Sequence, residues 1–237
     1  MFQRLDNPER TLSTAAGLVS ILFWSTSIAF GRSLSEQLGP LTTIAAINLV
    51  GGVMGSILQA VQHRTRRVKP HFPVRYLVGC GSLYVLYQAS LYIALGLART
   101  HSQVLEIGLL NYLWPMLTLL FTVWLFTMKF RLWLIPGVLV ATAGVLLATS
   151  QNQTLSWNSF TMNIQQHAAP YILGFVAAVS WALYSTLSRK WAGDSPGNAV
   201  PLFMLASASV LGLTRLLFLD EHTTWSRSGL LEFAYLA

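Results

Sequence analysis

Charge disappears from this chain in long blocks. Residues 12–31, 41–62, 76–98, 132–149 and 170–188 contain no Asp, Glu, Lys or Arg. The stretches 102–128 and 198–219 are interrupted only by Glu106 and Arg215. A helix needs roughly 20 apolar residues to cross the hydrocarbon core of a bilayer, and each block is about that long. Soluble helices keep a polar face toward water, and seven successive blocks without one are foreign to a soluble bundle. The pattern predicts an all-α integral membrane protein with seven complete spans. An eighth is predicted to begin near Gly229 and to be still unfinished at Ala237.

Composition agrees. Of 237 residues, 54% are hydrophobic and only 10% charged, where soluble domains carry about 25%. The first apolar stretch is too long for a signal peptide, and no small-residue cleavage site precedes a soluble domain. The single cysteine, Cys80, excludes an internal disulfide framework. The net charge of +7 invites a nucleic-acid reading, but its placement argues against one. With the N-terminus in the cytoplasm, cytoplasmic segments hold Arg4, Arg10, Arg64, Arg66, Arg67, Lys69, Arg75, Lys129, Arg131, Arg189 and Lys190. That is 11 of the 15 basic residues, against Arg32, Arg99, Arg215 and Arg227 on the other side. This is the positive-inside asymmetry of a membrane protein, and the partner it implies is the lipid bilayer.

The chain also repeats itself. Residues 17–32, GLVSILFWSTSIAFGR, align with 174–189, GFVAAVSWALYSTLSR. Gly17, Val19, Trp24 and Arg32 meet Gly174, Val176, Trp181 and Arg189 at a constant offset of 157. Five predicted spans separate the two starts, so the second copy is inverted in the membrane. Inverted repeats are typical of secondary transporters, whose substrate site lies at the repeat interface. The expected organisation is a first five-helix repeat at 1–149, an extracytoplasmic loop at 150–169, and an incomplete second repeat at 170–237. The same offset places the end of a whole second repeat near residue 306, since 149 + 157 = 306. A ten-span protein truncated at its C-terminus is therefore expected.

Polar and aromatic groups inside the spans mark candidate chemistry. Pro115 lacks an amide hydrogen and presses on the carbonyl of residue 111, so a kink is expected there, with the Asn111 carbonyl and side chain and the Trp114 indole on one face. The bland alternative is a kink sealed by packing. Glu106 is the only carboxylate well inside a complete span. It reads either as a gating or coupling group or as a structural ion pair, with Arg99 or His101 as neighbours. Tyr84, Gln88 and Tyr92 recur every four residues and share a helix face, with Tyr87 beside them. At mid-depth, away from the interfacial aromatic belt, such a stripe faces either a cavity or a packed neighbour. Trp24 and Trp181 occupy equivalent repeat positions, the latter near Tyr184, and paired indoles suit stacking on planar ligands. Gly51 and Gly55 form a small-xxx-small packing signal. No HExxH pair, phosphate loop, metal-spaced cysteine set or paired intramembrane aspartates are present, so neither an enzyme nor a cofactor is expected.

The runs ARTHSQVLEIGLLNYLWPMLTLLF (98–121), LWLIPGVLVATAGVLLA (132–148) and WALYSTLSRKWA (181–192) resemble the YddG-type aromatic amino-acid exporters of the drug/metabolite transporter superfamily. The block from Glu106 to Pro115 is the specific part. The resemblance implies ten spans in two inverted five-helix bundles, both termini cytoplasmic, in the inner membrane. It implies a central cavity to which Trp24, Tyr84, Tyr87, Asn111, Tyr112, Trp114, Trp181 and Tyr184 correspond here. It implies efflux of phenylalanine, tyrosine and tryptophan by alternating access, with tolerance of some aromatic cations. A carrier of another metabolite or drug cation, and a membrane interaction protein that transports nothing, are the alternatives.

Overall fold

The computed structural model describes residues 8–66, 72–126, 157–192 and 199–237, with 136, 137, 140 and 143. Among these residues the only regular structure is helical. Helices α1 (Pro8–Leu38) and α2 (Pro40–Arg66) are joined by a single residue, Gly39. Its φ of 87° is left-handed, which a side chain opposes, and a Cβ there would run into the Glu221 side chain. Pro40 opens α2, where its missing amide hydrogen costs nothing. The next amides, of Leu41 and Thr42, donate to the Glu221 carboxylate at 3.0 and 2.8 Å, and the Thr42 hydroxyl adds a third bond at 2.7 Å. An anion at a helix N-terminus meets both the unpaired N–H groups and the positive end of the macrodipole.

A π-helical turn, Tyr76–Cys80, leads into α3 (Gly81–Leu97). Thr100 then caps α4 (His101–Asn111) by accepting from the Gln103 amide. Tyr112 and Leu113 form a turn, and α5 (Trp114–Leu125) follows with Pro115 in its first turn. Helix α6 (Trp157–Gln166) precedes α7 (Ala168–Trp191), α8 (Val200–Phe218) and α9 (Arg227–Leu236). Ser226 caps α9 by accepting from the Gly229 amide at 2.9 Å.

Five described segments are long and apolar enough to cross a membrane: Pro40–Gln62, Tyr76–Leu97, His101–Leu125, Ala168–Trp191 and Val200–Phe218. Each matches a charge-poor block read from the sequence. The block 12–31 falls within the 31-residue α1. The block 132–149 lies outside the described residues but for four positions. The connection 150–169 is not a plain loop, because Trp157–Gln166 is helical and α7 already starts at Ala168.

Helix α2 packs along α8, α3 along α7, and both α4 and α5 against α7. Small residues let these backbones close. A Cβ on Gly52 would lie 2.9 Å from Leu205 and one on Gly55 2.8 Å from Pro201, while Gly51 abuts Met204. Thus Gly51 and Gly55 serve the close α2–α8 crossing that small-xxx-small spacing provides in lipid. Outward-facing positions such as Leu58, Val61, Ile172, Leu213 and Leu216 are exposed and apolar, as lipid contact requires. Inside, one buried cluster gathers Leu34, Leu38, Leu41, Leu95 and Ile107 near the α1–α2 turn. A second gathers Tyr76, Cys80, Tyr84, Tyr184 and Phe203 toward the opposite end.

Candidate functional site

Between the two clusters lies a cavity of about 240 Å³, lined by side chains of α1, α2, α3, α7, α8 and α9. Helix α3 supplies Tyr84, Tyr87 and Gln88, whose three- and four-residue spacing holds them on one face. Helix α7 supplies Trp181, which is the hub of the aromatic wall. Its ring centroid lies 4.6 Å from Tyr87, 5.1 Å from Tyr184, 6.4 Å from Tyr84 and 6.5 Å from Trp114. The Trp114 ring meets it edge-on at 84°. Tilted and edge-on pairs at these separations are the favourable arrangements for ring quadrupoles. Among the described residues lining the cavity, none carries a charge.

The polar side of the cavity rests on a residue that the sequence reading missed. Asn48 of α2 is fully buried. Its amide nitrogen donates to the Ile44 carbonyl at 2.9 Å. Its oxygen accepts from the Tyr84 hydroxyl and from the Gln88 amide, each at 3.3 Å. Gln88 also donates to the Tyr84 hydroxyl at 3.1 Å. An asparagine in mid-span was the available signal, because a polar group in hydrocarbon has to find partners.

The other sequence-derived residues distribute unevenly. Tyr184 is buried within the second cluster and reaches the site through Trp181 and Tyr84, its ring 5.6 Å from the latter. Asn111 is buried at the end of α4 beside Tyr87, and its Oδ1 accepts no hydrogen bond. Tyr112 is 37% exposed in the turn after α4 and does not line the cavity. The chain does more than kink at Pro115. The amide of Tyr112 reaches back to Gly108, that of Leu113 to Leu110, and regular bonding resumes with Leu117 to Leu113. The Thr118 hydroxyl donates to the Trp114 carbonyl one turn back at 2.7 Å. The side chain of Trp24 lies outside the described residues.

Glu106 differs from expectation in its partners. It is 2% exposed, and neither Arg99 nor His101 pairs with it. Arg99 instead gives its backbone amide to the Gln103 side chain at 2.7 Å. The Glu106 carboxylate accepts from the Asn163 amide at 3.1 and 3.3 Å and from the Tyr171 hydroxyl. Asn163 belongs to α6 and Tyr171 to α7, so the acid ties three helices together. The reason is placement. Glu106 is on the second turn of α4 and faces α6 and α7, whereas Arg99 precedes the Thr100 cap and is exposed.

Residues 12–150 match the model of the EamA-like transporter family. The chain is 36% identical over 203 residues to the aromatic amino acid exporter YddG of Escherichia coli (strain K12), covering 85% of this chain and 67% of that one. It is likewise 36% identical to the aromatic amino acid exporter YddG of Salmonella typhimurium (strain 14028s / SGSC 2262), over 85% of this chain and 66% of that one. The chain thus spans about two thirds of the length of these relatives. A solved crystal structure superimposes with a TM-score of 0.73 at 27% identity, covering 94% of this chain and 73% of its own. With more than half of its length matched by the family model, and with five segments among the described residues long and apolar enough to cross a membrane, the chain belongs to the EamA-like transporter family.

Proposed function

We propose that this chain is a membrane exporter of aromatic amino acids, working by alternating access around the cavity described above. The observation that carries the reading is the ring of aromatic side chains around Trp181, at 4.6–6.5 Å, closed on its polar side by Asn48, Tyr84 and Gln88. A substrate with a planar ring and a hydrogen-bonding head group fits this division. The ring stacks on Trp181 and Tyr87, and the head group meets the amides. The relatives named above, described as aromatic amino acid exporters, support the same substrate class.

The finer architecture belongs to the proposal. The offset of 157 supports a ten-span protein of two inverted bundles, with 1–149 as the first and a second starting near residue 170. The basic-residue asymmetry supports an inner-membrane protein with a cytoplasmic N-terminus and the connection 150–169 outside. In this frame Trp24 and Trp114 complete the aromatic wall, and Tyr184 supports it from behind. Asn111 sits where Pro115 interrupts the fourth span, so the turn at 112–113 is a hinge at which Tyr112 can approach the cavity when the bundles rock. Glu106 gates the outer side by holding α4 to α6 and α7.

The test is counterflow in proteoliposomes containing the chain restored to the ten spans that the proposed architecture requires. Unlabelled phenylalanine inside should accelerate entry of labelled phenylalanine, and external tyrosine or tryptophan should compete. Labelled entry no faster than in protein-free liposomes would overturn the reading.

A further inference from the structure

The hydrogen bonds around Asn48 determine which atom of Gln88 is left for a ligand. The Ile44 main-chain oxygen can only accept, so the Asn48 atom 2.9 Å from it is the amide nitrogen. Oδ1 of Asn48 therefore faces Tyr84 and Gln88. Oδ1 also can only accept, so the Gln88 atom 3.3 Å away is Nε2. A glutamine Nε2 has two hydrogens. One goes to Asn48 and the other to the Tyr84 hydroxyl at 3.1 Å. The Tyr84 hydroxyl in turn gives its only hydrogen to Asn48. Both hydrogens of Gln88 Nε2 and the hydroxyl hydrogen of Tyr84 are thus taken, while Asn48 Nδ2 has a second hydrogen beyond the one given to Ile44. The oxygen Oε1 of Gln88 keeps both lone pairs, and Gln88 lines the cavity.

We propose that Gln88 is a specificity-determining residue whose Oε1 accepts from the ammonium group of the substrate, and that Asn48 is the positioning residue that holds it in that orientation. This deepens the exporter reading and rests on it. At Gln88 the polar wall presents an acceptor, which suits a donor-bearing cationic head. A carboxylate brought to Gln88 would meet oxygen against oxygen. Without Asn48 the Gln88 amide could turn over, present Nε2, and lose its preference.

Two probes separate the head groups on one ring: 2-phenylethylamine has the ammonium and no carboxylate, and 3-phenylpropionate has the reverse. Each competes with labelled phenylalanine for the purified 237-residue chain in detergent. The parent should bind the amine at least about tenfold more tightly, the difference one charge-assisted hydrogen bond makes. Asn48→Leu should lower amine affinity about tenfold and leave 3-phenylpropionate within about threefold. Gln88→Met, which removes the oxygen but keeps the bulk, should do the same, and it carries the test if Asn48→Leu fails to fold.

Equal loss for both probes, or an unchanged ratio in a folded Gln88→Met variant, would overturn the assignment and leave the trio a packing device. If the parent binds neither phenylalanine nor either probe, the exporter reading falls and takes this one with it. Binding of phenylalanine without discrimination between the probes sinks only the present inference.

Discussion

Removing the Glu106 carboxylate should loosen the contact between α4 and its neighbours by a measurable amount. Glu106 is 2% and Tyr171 3% exposed, so neither is rehydrated when the other is truncated. In Glu106→Ala, the Tyr171 hydroxyl loses its acceptor, and an unmet buried donor costs about 1–3 kcal/mol. Asn163 is half-buried and recovers part of its loss from water. Hydrogen bonds between membrane helices average only about 0.6 kcal/mol, with a ceiling near 1.7, which pulls the total down. The combined cost is about 2 kcal/mol. Glu106→Gln keeps an oxygen toward Tyr171 and should lose about 1 kcal/mol or less. The assay is reversible unfolding of the purified chain in mixed micelles, with a cycle through Glu106→Ala, Tyr171→Phe and the double variant. The cycle should return a coupling of about 1 kcal/mol. Zero coupling, or a Glu106→Ala protein as stable as its parent, would refute the three-helix tie.

Trp181→Ala should weaken phenylalanine binding by about 1–2 kcal/mol, because up to four ring partners lose their centre; intrinsic fluorescence or competition binding reads this, and unchanged affinity would make the indole a packing residue. Gly39→Ala places a Cβ at φ 87° against Glu221 and should lower stability by more than about 1 kcal/mol, a loss visible as an earlier unfolding midpoint. Glu221→Ala removes three hydrogen bonds at the start of α2 and should cost about 1–2 kcal/mol in the same assay. A reporter active only outside the cytoplasm should function in the 150–169 connection and stay silent at 63–75, and the reverse pattern would invert the proposed topology.

The five spans found among the described residues were legible because charge is so costly in hydrocarbon that its absence alone marks them. The Gly51–Gly55 contact was legible for a related reason, since backbones approach closely in lipid only through small residues. The aromatic wall was legible from spacing, as Tyr84, Tyr87 and Gln88 had to share a face. What spacing does not carry is the identity of the partner helix. Asn48 lies 36 residues from Tyr84 and 40 from Gln88, and nothing local to α2 announces that pairing. Glu106 shows the same blindness: its nearest charges in sequence were Arg99 and His101, while its partners lie 57 and 65 residues away. A proline signals a break but not its form, so an interruption with a two-residue turn replaced the expected kink. The helix at 157–166 escaped notice because it is short and polar, and it proved to supply a partner to Glu106.

In the proposed complex an aromatic ring sits on Trp181 in the cavity. The most direct measurement is equilibrium binding of labelled phenylalanine to the purified chain, competed by tyrosine, tryptophan and leucine, in parent and Trp181→Ala forms. Tyrosine and tryptophan should displace it, leucine should do so little, and Trp181→Ala should bind about tenfold more weakly. Displacement by leucine as effective as by tryptophan, with Trp181→Ala binding as the parent does, would contradict that placement of the ring.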